Sequence, residues 1–274
     1  MITGHNLVGG IWETNSNATT YKTINPKTEE ILPSSFEAAS ASQIETAIEA
    51  AAGSFETFAA TSFKTRISFL KAIQKEIKAN SVEILSAFQT ESALPEGRAN
   101  GELQRTLDQI EQFVELLKEG SFIQATLNTN GLDLRKMLYP IGPIVVFGAS
   151  NFPLAFSTAG GDTISALAAG CPVVVKAHPY HAGTSELVAQ AIHLAIKKSK
   201  VPTEAFSHLG GQSHELGMSL VSHPLVKGVG FTGSFTGGKF LFDLAQQREE
   251  PIPFFAEMGS VNPVFILENK VKKD

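Results

Sequence analysis

A single cysteine in 274 residues leaves no partner for an internal disulfide and no thiolate set for a metal ion. No apolar run approaches the ~18 residues of a membrane-spanning helix. The opening MITGHNLVGG has no basic stretch leading into an apolar core, so the signature of a secretory leader is missing. Positive charge is short as well. Lys and Arg number 22 against 27 acidic residues, giving a formal net charge of −5. That balance disfavours nucleic acid or an anionic membrane as partner. Internal repeats and low-complexity segments are absent. What is present is apolar material for a core: 43% hydrophobic against 18% charged residues argues against disorder. These limits describe a soluble, cytoplasmic, globular protein of one large domain or two ordinary ones.

The chain changes character twice. Residues 7–12 and 21–25 read as short strands with turns between them. From residue 40 to about 117, apolar residues recur at helical spacing, as in Ile44, Ile48, Ala51 and Phe55. Ser42 followed by Glu45 reads as a capping box. Breaks at Thr61, Ser92–Pro95 and Gly101 divide this region into three helices. Residues 120–139 lose the helical period and read as extended chain turning at 128–131. After Pro140, short continuous apolar runs alternate with helical ones. The strands are 144–147, 173–176, 205–209, 226–231 and 254–256. The helices between them are 157–169, 183–197, a turn or two around 215–221, and 237–246. Continuous apolar strands each followed by a helix imply an α/β fold with a doubly wound parallel sheet, covered on both faces. Ligands of such sheets bind at the carboxyl ends of the strands.

Polar residues fall at those ends. Asn151 lies just past the first of these strands and Lys176 closes the second. The run Phe231-Thr-Gly-Ser-Phe-Thr-Gly-Gly238 follows the fourth, and Glu257 ends the fifth. Gly233, Ser234, Gly237 and Gly238 open a helix whose free backbone N–H groups suit a phosphate. The spacing fits neither G-x-G-x-x-G nor a Walker motif, which excludes a P-loop phosphotransferase. Taken singly, each residue has a plain structural explanation, such as a strand-end lysine, a turn asparagine or a turn-capping carboxylate. Their convergence on one edge is what points to a site. Cys171 sits between a helix end and a strand start, at the opposite edge, and reads as a buried structural residue. His178 and His181 flank Pro179 without an evident third ligand, so no metal site is expected.

These segments resemble the aldehyde dehydrogenase superfamily along the whole chain, matched as its N-terminal part. Ser150-Asn-Phe-Pro153 is similar to W-N-F-P, with Ser150 in place of Trp. Val173–Lys176 is similar to V-V-x-K, and Phe231-Thr-Gly-Ser234 with Gly238 to F-T-G-S-x-x-x-G. Glu257-Met-Gly-Ser-Val-Asn-Pro263 is similar to E-L-G-G-K-x-P. The resemblance implies a Rossmann-like cofactor domain and the following roles. Asn151 donates to the oxyanion of a thiohemiacetal, and Glu257 is the general base for thioester hydrolysis. Lys176 binds the adenosine ribose hydroxyls or a 2′-phosphate, and residues 233–238, with Gly233, Ser234 and Gly238, hold the pyrophosphate. The implied organisation is an N-terminal part of the cofactor domain (1–119), an oligomerisation hairpin (120–139), the dinucleotide-binding core (140–257) and the start of a catalytic domain (258–274). A homodimer or homotetramer is implied, with an aldehyde as small-molecule substrate.

Two departures sharpen this expectation. Members that prefer NAD often carry a Glu three residues after the strand-end lysine; here that position is Pro179. Loss of a carboxylate removes repulsion against a 2′-phosphate, which Lys176 and His178 are placed to pair with, so NADP is expected over NAD. The family's nucleophilic cysteine lies further beyond Glu257 than this chain extends, so the chain is expected to be a portion of an enzyme and inactive alone. A non-catalytic dinucleotide-binding remnant is the alternative of another class. The runs 147–156, 159–163 and 176–179 resemble NADP-dependent members that oxidise 2,5-dioxovalerate (α-ketoglutarate semialdehyde), and a related fatty-aldehyde group. An anionic substrate needs a cation, for which Arg98 and Arg105 are candidates against the simpler reading of solvated helix-face arginines.

Overall fold

Two glycines decide how the chain begins. Gly9 and Gly10 both take positive φ, +54° and +84°, the backbone of a tight hairpin turn that β-carbons resist. Residues 7–12 are therefore a hairpin rather than one strand, with β1 (Asn6–Val8) pairing antiparallel to β2 (Ile11–Glu13). A second hairpin, β3 (Thr20–Ile24) and β4 (Ile31–Glu37), follows. The computed structural model describes residues 1–129, 131–259 and 263–268.

The helical region contains four helices where three are expected: α1 (Ala41–Ala59), α2 (Phe63–Ala79), α3 (Ser81–Ser92) and α4 (Glu96–Glu119). The capping box at the start of α1 uses Ser40 and Gln43, two residues before the expected Ser42–Glu45 pair. Ser40 Oγ accepts from the Gln43 N–H at 3.2 Å, and Gln43 Oε1 accepts from the Ser40 N–H at 3.1 Å. Asn6 Nδ2 also donates to Gln43 Oε1 at 3.4 Å, which favours burying that side chain. The extra break falls at Asn80, whose side-chain amide donates to the Glu76 carbonyl at 2.8 Å, a local bond that competes with the helical pattern. Gly101 breaks nothing. It lies inside α4, where an added β-carbon would meet no neighbour.

Strands β5 (Thr126–Asn128) and β6 (Leu134–Lys136) form a separate antiparallel pair, exposed along its length. Asn130, in the expected turn between them, lies outside the described residues. Alternation then sets in: β7 (Ile144–Phe147), α5 (Gly161–Ala169), β8 (Val173–Lys176), α6 (Ala182–Lys197), β9 (Phe206–Leu209), α7 (His214–Ser222), β10 (Gly228–Gly233), α8 (Phe235–Gln246) and β11 (Phe254–Met258). These strands are parallel. The sheet order is β11-β10-β7-β8-β9-β1-β2, with β1 antiparallel to β9 at the far side. The chain thus winds from β7 through β8 to β9, then returns to the other side of β7. That reversal leaves a crevice at the carboxyl ends of β7 and β10.

Alternate side chains of the same strands feed two cores. Ile144, Val146, Val173 and Val175 pack with α2, α4, α5 and α6. Val145, Phe147, Val174, Val229 and Phe231 pack with α1, α7 and α8. Burial on both faces explains why these strands read as continuous apolar runs.

Candidate functional site

The crevice is a cleft of about 650 Å³, a volume typical of small-ligand sites. Its floor is the ring pair Phe147 and Phe231, 6.0 Å between centroids. Lys176, His178 and Pro179 line the wall from β8. Thr232, Gly233, Ser234 and Gly237 line the wall at the β10–α8 turn, and Ser213, His214 and Gly217 contribute from α7. Among the described residues, no acidic side chain lines it.

Helix α8 opens onto this cleft. Ser234 is its N-cap, and Ser234 Oγ accepts from the Gly237 N–H at 3.2 Å. The amides of Phe235 and Thr236, one and two residues into the helix, have no intrahelical acceptor and face the positive end of the helix dipole. A β-carbon at Gly233 would come within 2.8 Å of the Phe231 ring, so glycine is what lets the turn pass over the floor. A second helix start adds to the first. Ser213 caps α7 by accepting from the Leu216 N–H at 3.3 Å. The sequence reading missed Ser213 and His214, although a serine before an apolar helical run is a recognisable cap.

Lys176 ends β8 half-buried, and burial brings its ammonium down to about 8. Among the described residues it makes no ion pair. His178 Nδ1 accepts from the Tyr180 N–H at 3.3 Å. Its basicity is depressed to about 3 by burial, then by His181 and Lys176. His178 is therefore a neutral donor through Nε2 at physiological pH. His181 is fully enclosed, with Nε2 against the Ala149 carbonyl at 2.8 Å and Nδ1 against Ser185 Oγ at 3.1 Å. Among the described residues no group of three metal-ligating side chains occurs.

The remaining residues of interest lie around this cleft rather than in it. Gly238 is buried beneath it, where a β-carbon would fall 2.3 Å from Met258 Sδ and 2.8 Å from the Phe231 ring; its observed contribution is close packing of α8 on β10 and β11. Asn151 is exposed on the loop after β7. Glu257 is exposed on edge strand β11, in register with Thr232 of β10. Ser260, Val261 and Asn262, and most of the expected start of a further domain, lie outside the described residues. Cys171 is buried at the amino-terminal edge, 4% exposed, and burial raises its thiol pKa.

The loop carrying Asn151 is held by a residue the sequence did not single out. Glu102 of α4, 3% exposed, accepts from the Leu154 N–H at 2.8 Å and the Ala155 N–H at 3.1 Å. The helix expected from Ser157 begins only at Gly161; residues 157–160 form a turn in which the Gly160 N–H donates to the Ser157 carbonyl at 2.8 Å.

Comparison with known proteins gives the same reading along the chain. The family model described as aldehyde dehydrogenase family matches residues 12–271. Alpha-ketoglutaric semialdehyde dehydrogenase 2 of Azospirillum brasilense is 44% identical, over 97% of this chain and 52% of its own length. Alpha-ketoglutaric semialdehyde dehydrogenase of Acinetobacter baylyi is also 44% identical, over 92% of this chain and 49% of its own. Among solved structures, succinate-semialdehyde dehydrogenase from Burkholderia pseudomallei superposes with a TM-score of 0.85 at 26% identity, covering 97% of this chain and 53% of that one. The chain spans about half the length of the curated relatives it matches. It belongs to the aldehyde dehydrogenase family.

Proposed function

We propose that this chain supplies the cofactor-binding part of an NADP-dependent dehydrogenase that oxidises α-ketoglutaric semialdehyde to 2-oxoglutarate. The observation that carries the cofactor choice is the cleft itself: two helix starts and Lys176 around a wall without an acidic side chain. Helix-start amides and Ser234 suit the pyrophosphate. Lys176 suits a 2′-phosphate, with neutral His178 as an added donor and Pro179 where a repelling carboxylate would otherwise stand. The glycine at 233 leaves room that a β-carbon would fill. When bound, NADP accepts the hydride. The substrate choice rests on the two relatives named for that semialdehyde.

Under this reading the side-chain amide of Asn151 donates to the oxygen that gains charge when a nucleophile attacks the aldehyde carbon. Glu257 takes a proton from the water that releases the acid. The hairpin β5–β6 serves as an oligomerisation arm. Its Leu127, Leu132 and Leu134 are 73%, 75% and 56% exposed, more apolar surface than a free two-stranded ribbon needs.

Steady-state and single-turnover assays of the enzyme that contains this chain, with the semialdehyde and NADP, test the proposal. Asn151→Ala should lower kcat by about 10²–10³-fold, the loss typical of one oxyanion donor. Glu257→Gln should keep a first turnover of NADPH and lose the steady state. A normal steady state in Glu257→Gln, or no semialdehyde-dependent NADPH in the parent, contradicts it.

A further inference from the structure

His181 stands just behind the cleft wall, and its bonds lead away from the cleft. It closes the short turn Pro179–His181 after β8 and is 1% exposed. Its Nε2 lies 2.8 Å from the Ala149 carbonyl and its Nδ1 lies 3.1 Å from Ser185 Oγ. A carbonyl only accepts, so Nε2 carries the proton and Nδ1 accepts from the serine hydroxyl. Burial pushes the ring below its ordinary pKa, which keeps it neutral. His208 is also buried, yet among the described residues neither of its ring nitrogens has a hydrogen-bond partner. Burial alone therefore does not dictate the bonds that His181 makes.

Ala149 is where the chain leaves the sheet. Strand β7 ends at Phe147, so the buried Ala149 carbonyl lies beyond the ladder and needs an acceptor's partner from elsewhere. The Ala149 N–H donates to the Phe156 carbonyl at 2.8 Å, which closes a loop over residues 149–156. Glu102 holds the far side of this loop through the Leu154 and Ala155 amides. Asn151 sits two residues past the carbonyl that His181 holds. It is exposed, and its side chain makes no hydrogen bond among the described residues, so the backbone on either side sets its aim. His178 stacks on His181 with ring centroids 5.4 Å apart and lines the cleft. One short turn thus walls the cleft with one ring and anchors the Asn151 loop with the next.

We propose that His181 is a positioning residue for aldehyde oxidation. By donating to the Ala149 carbonyl it fixes the backbone that aims the Asn151 amide at the oxygen gaining charge. This inference rests on the role given to Asn151 in the reading above. It assigns His181 a part in kcat and none in cofactor affinity.

Two variants separate the bond from the space the ring fills. In His181→Gln the side-chain amide reaches as far as Nε2 and still donates to Ala149. In His181→Asn it reaches only as far as Nδ1, which leaves the Ser185 contact alone. The assay uses the enzyme that contains this chain, with α-ketoglutaric semialdehyde and NADP. His181→Asn lowers kcat by about tenfold or more, the cost of a misplaced contact to a reacting atom, while the KM for NADP stays within about twofold. His181→Gln recovers most of kcat. In an Asn151→Ala background His181→Asn has no further effect, because it acts through Asn151. Additive losses, or equal losses in the Gln and Asn variants, overturn the proposal with the oxyanion reading intact. Asn151→Ala without any loss of kcat sinks the oxyanion reading, and this inference with it. Two NMR readings on this chain need no turnover. The unsubstituted His181 ring shows Nε2 protonated and Nδ1 bare at neutral pH, and the opposite tautomer overturns the proposal. The Asn151 side-chain amide signals shift in His181→Asn and stay in place in His181→Gln; signals unmoved by His181→Asn overturn it as well.

Discussion

At the residue scale, Lys176 links the proposed cofactor selectivity to pH. Burial lowers its pKa from the ordinary 10.5 to about 8, because the ammonium loses water at the strand end. In the folded state the proton leaves at lower pH than in the unfolded chain, so burying the charged form is a penalty below about 8 that is relieved between there and the ordinary value. A 2′-phosphate reverses the preference, since an anion favours the charged ammonium. Binding of NADP should therefore weaken as pH rises through about 8, while binding of NAD changes less. Titration from pH 7 to 9.5 with both cofactors checks this. In Lys176→Ala the difference between the two pH profiles should disappear, and its persistence would move the phosphate contact elsewhere.

Two glycines of similar appearance in the sequence have opposite roles in their helices. Gly238 sits where α8 crosses Met258 and Phe231 at sub-van der Waals range for any β-carbon. Gly238→Ala should cost about 1–3 kcal/mol by overpacking and shift the helix start that faces the cleft. Gly101→Ala meets nothing and should stabilise α4 by about 0.5–1 kcal/mol. Thermal unfolding of the two variants checks both signs; a stable Gly238→Ala protein would remove the packing argument. The parallel strands were legible because burial on both faces writes itself as uninterrupted runs such as Val173–Lys176. Helix boundaries were less so. Ser40 prevailed over Ser42 through the contact of Gln43 with Asn6, a residue 37 positions away. The Glu102 clamp joins positions 52 apart. Contacts at that separation leave no local pattern, so neither the earlier cap nor the clamp could be read from the sequence.

At the scale of the molecule, net charge and local charge run in opposite directions. The chain carries −5 overall, yet the cleft at the β7–β10 reversal presents a lysine, two histidines and two helix starts with no acidic lining residue. Such a site draws an anion by its local field while the protein as a whole repels polyanions. Among the described residues no helix is long and apolar enough to cross a membrane. Large exposed apolar side chains gather instead on the hairpin and around β11, where Phe255 is 63% and Phe265 85% exposed. What the cleft binds decides between these readings of its charge. Calorimetric titration of this chain with NADP and with NAD, at pH 7 and one ionic strength, tests it most directly. NADP should bind tighter than NAD by about tenfold, the increment of one charge-assisted pair, with the preference abolished in Lys176→Ala. Equal or tighter binding of NAD, or no binding of either, would contradict it.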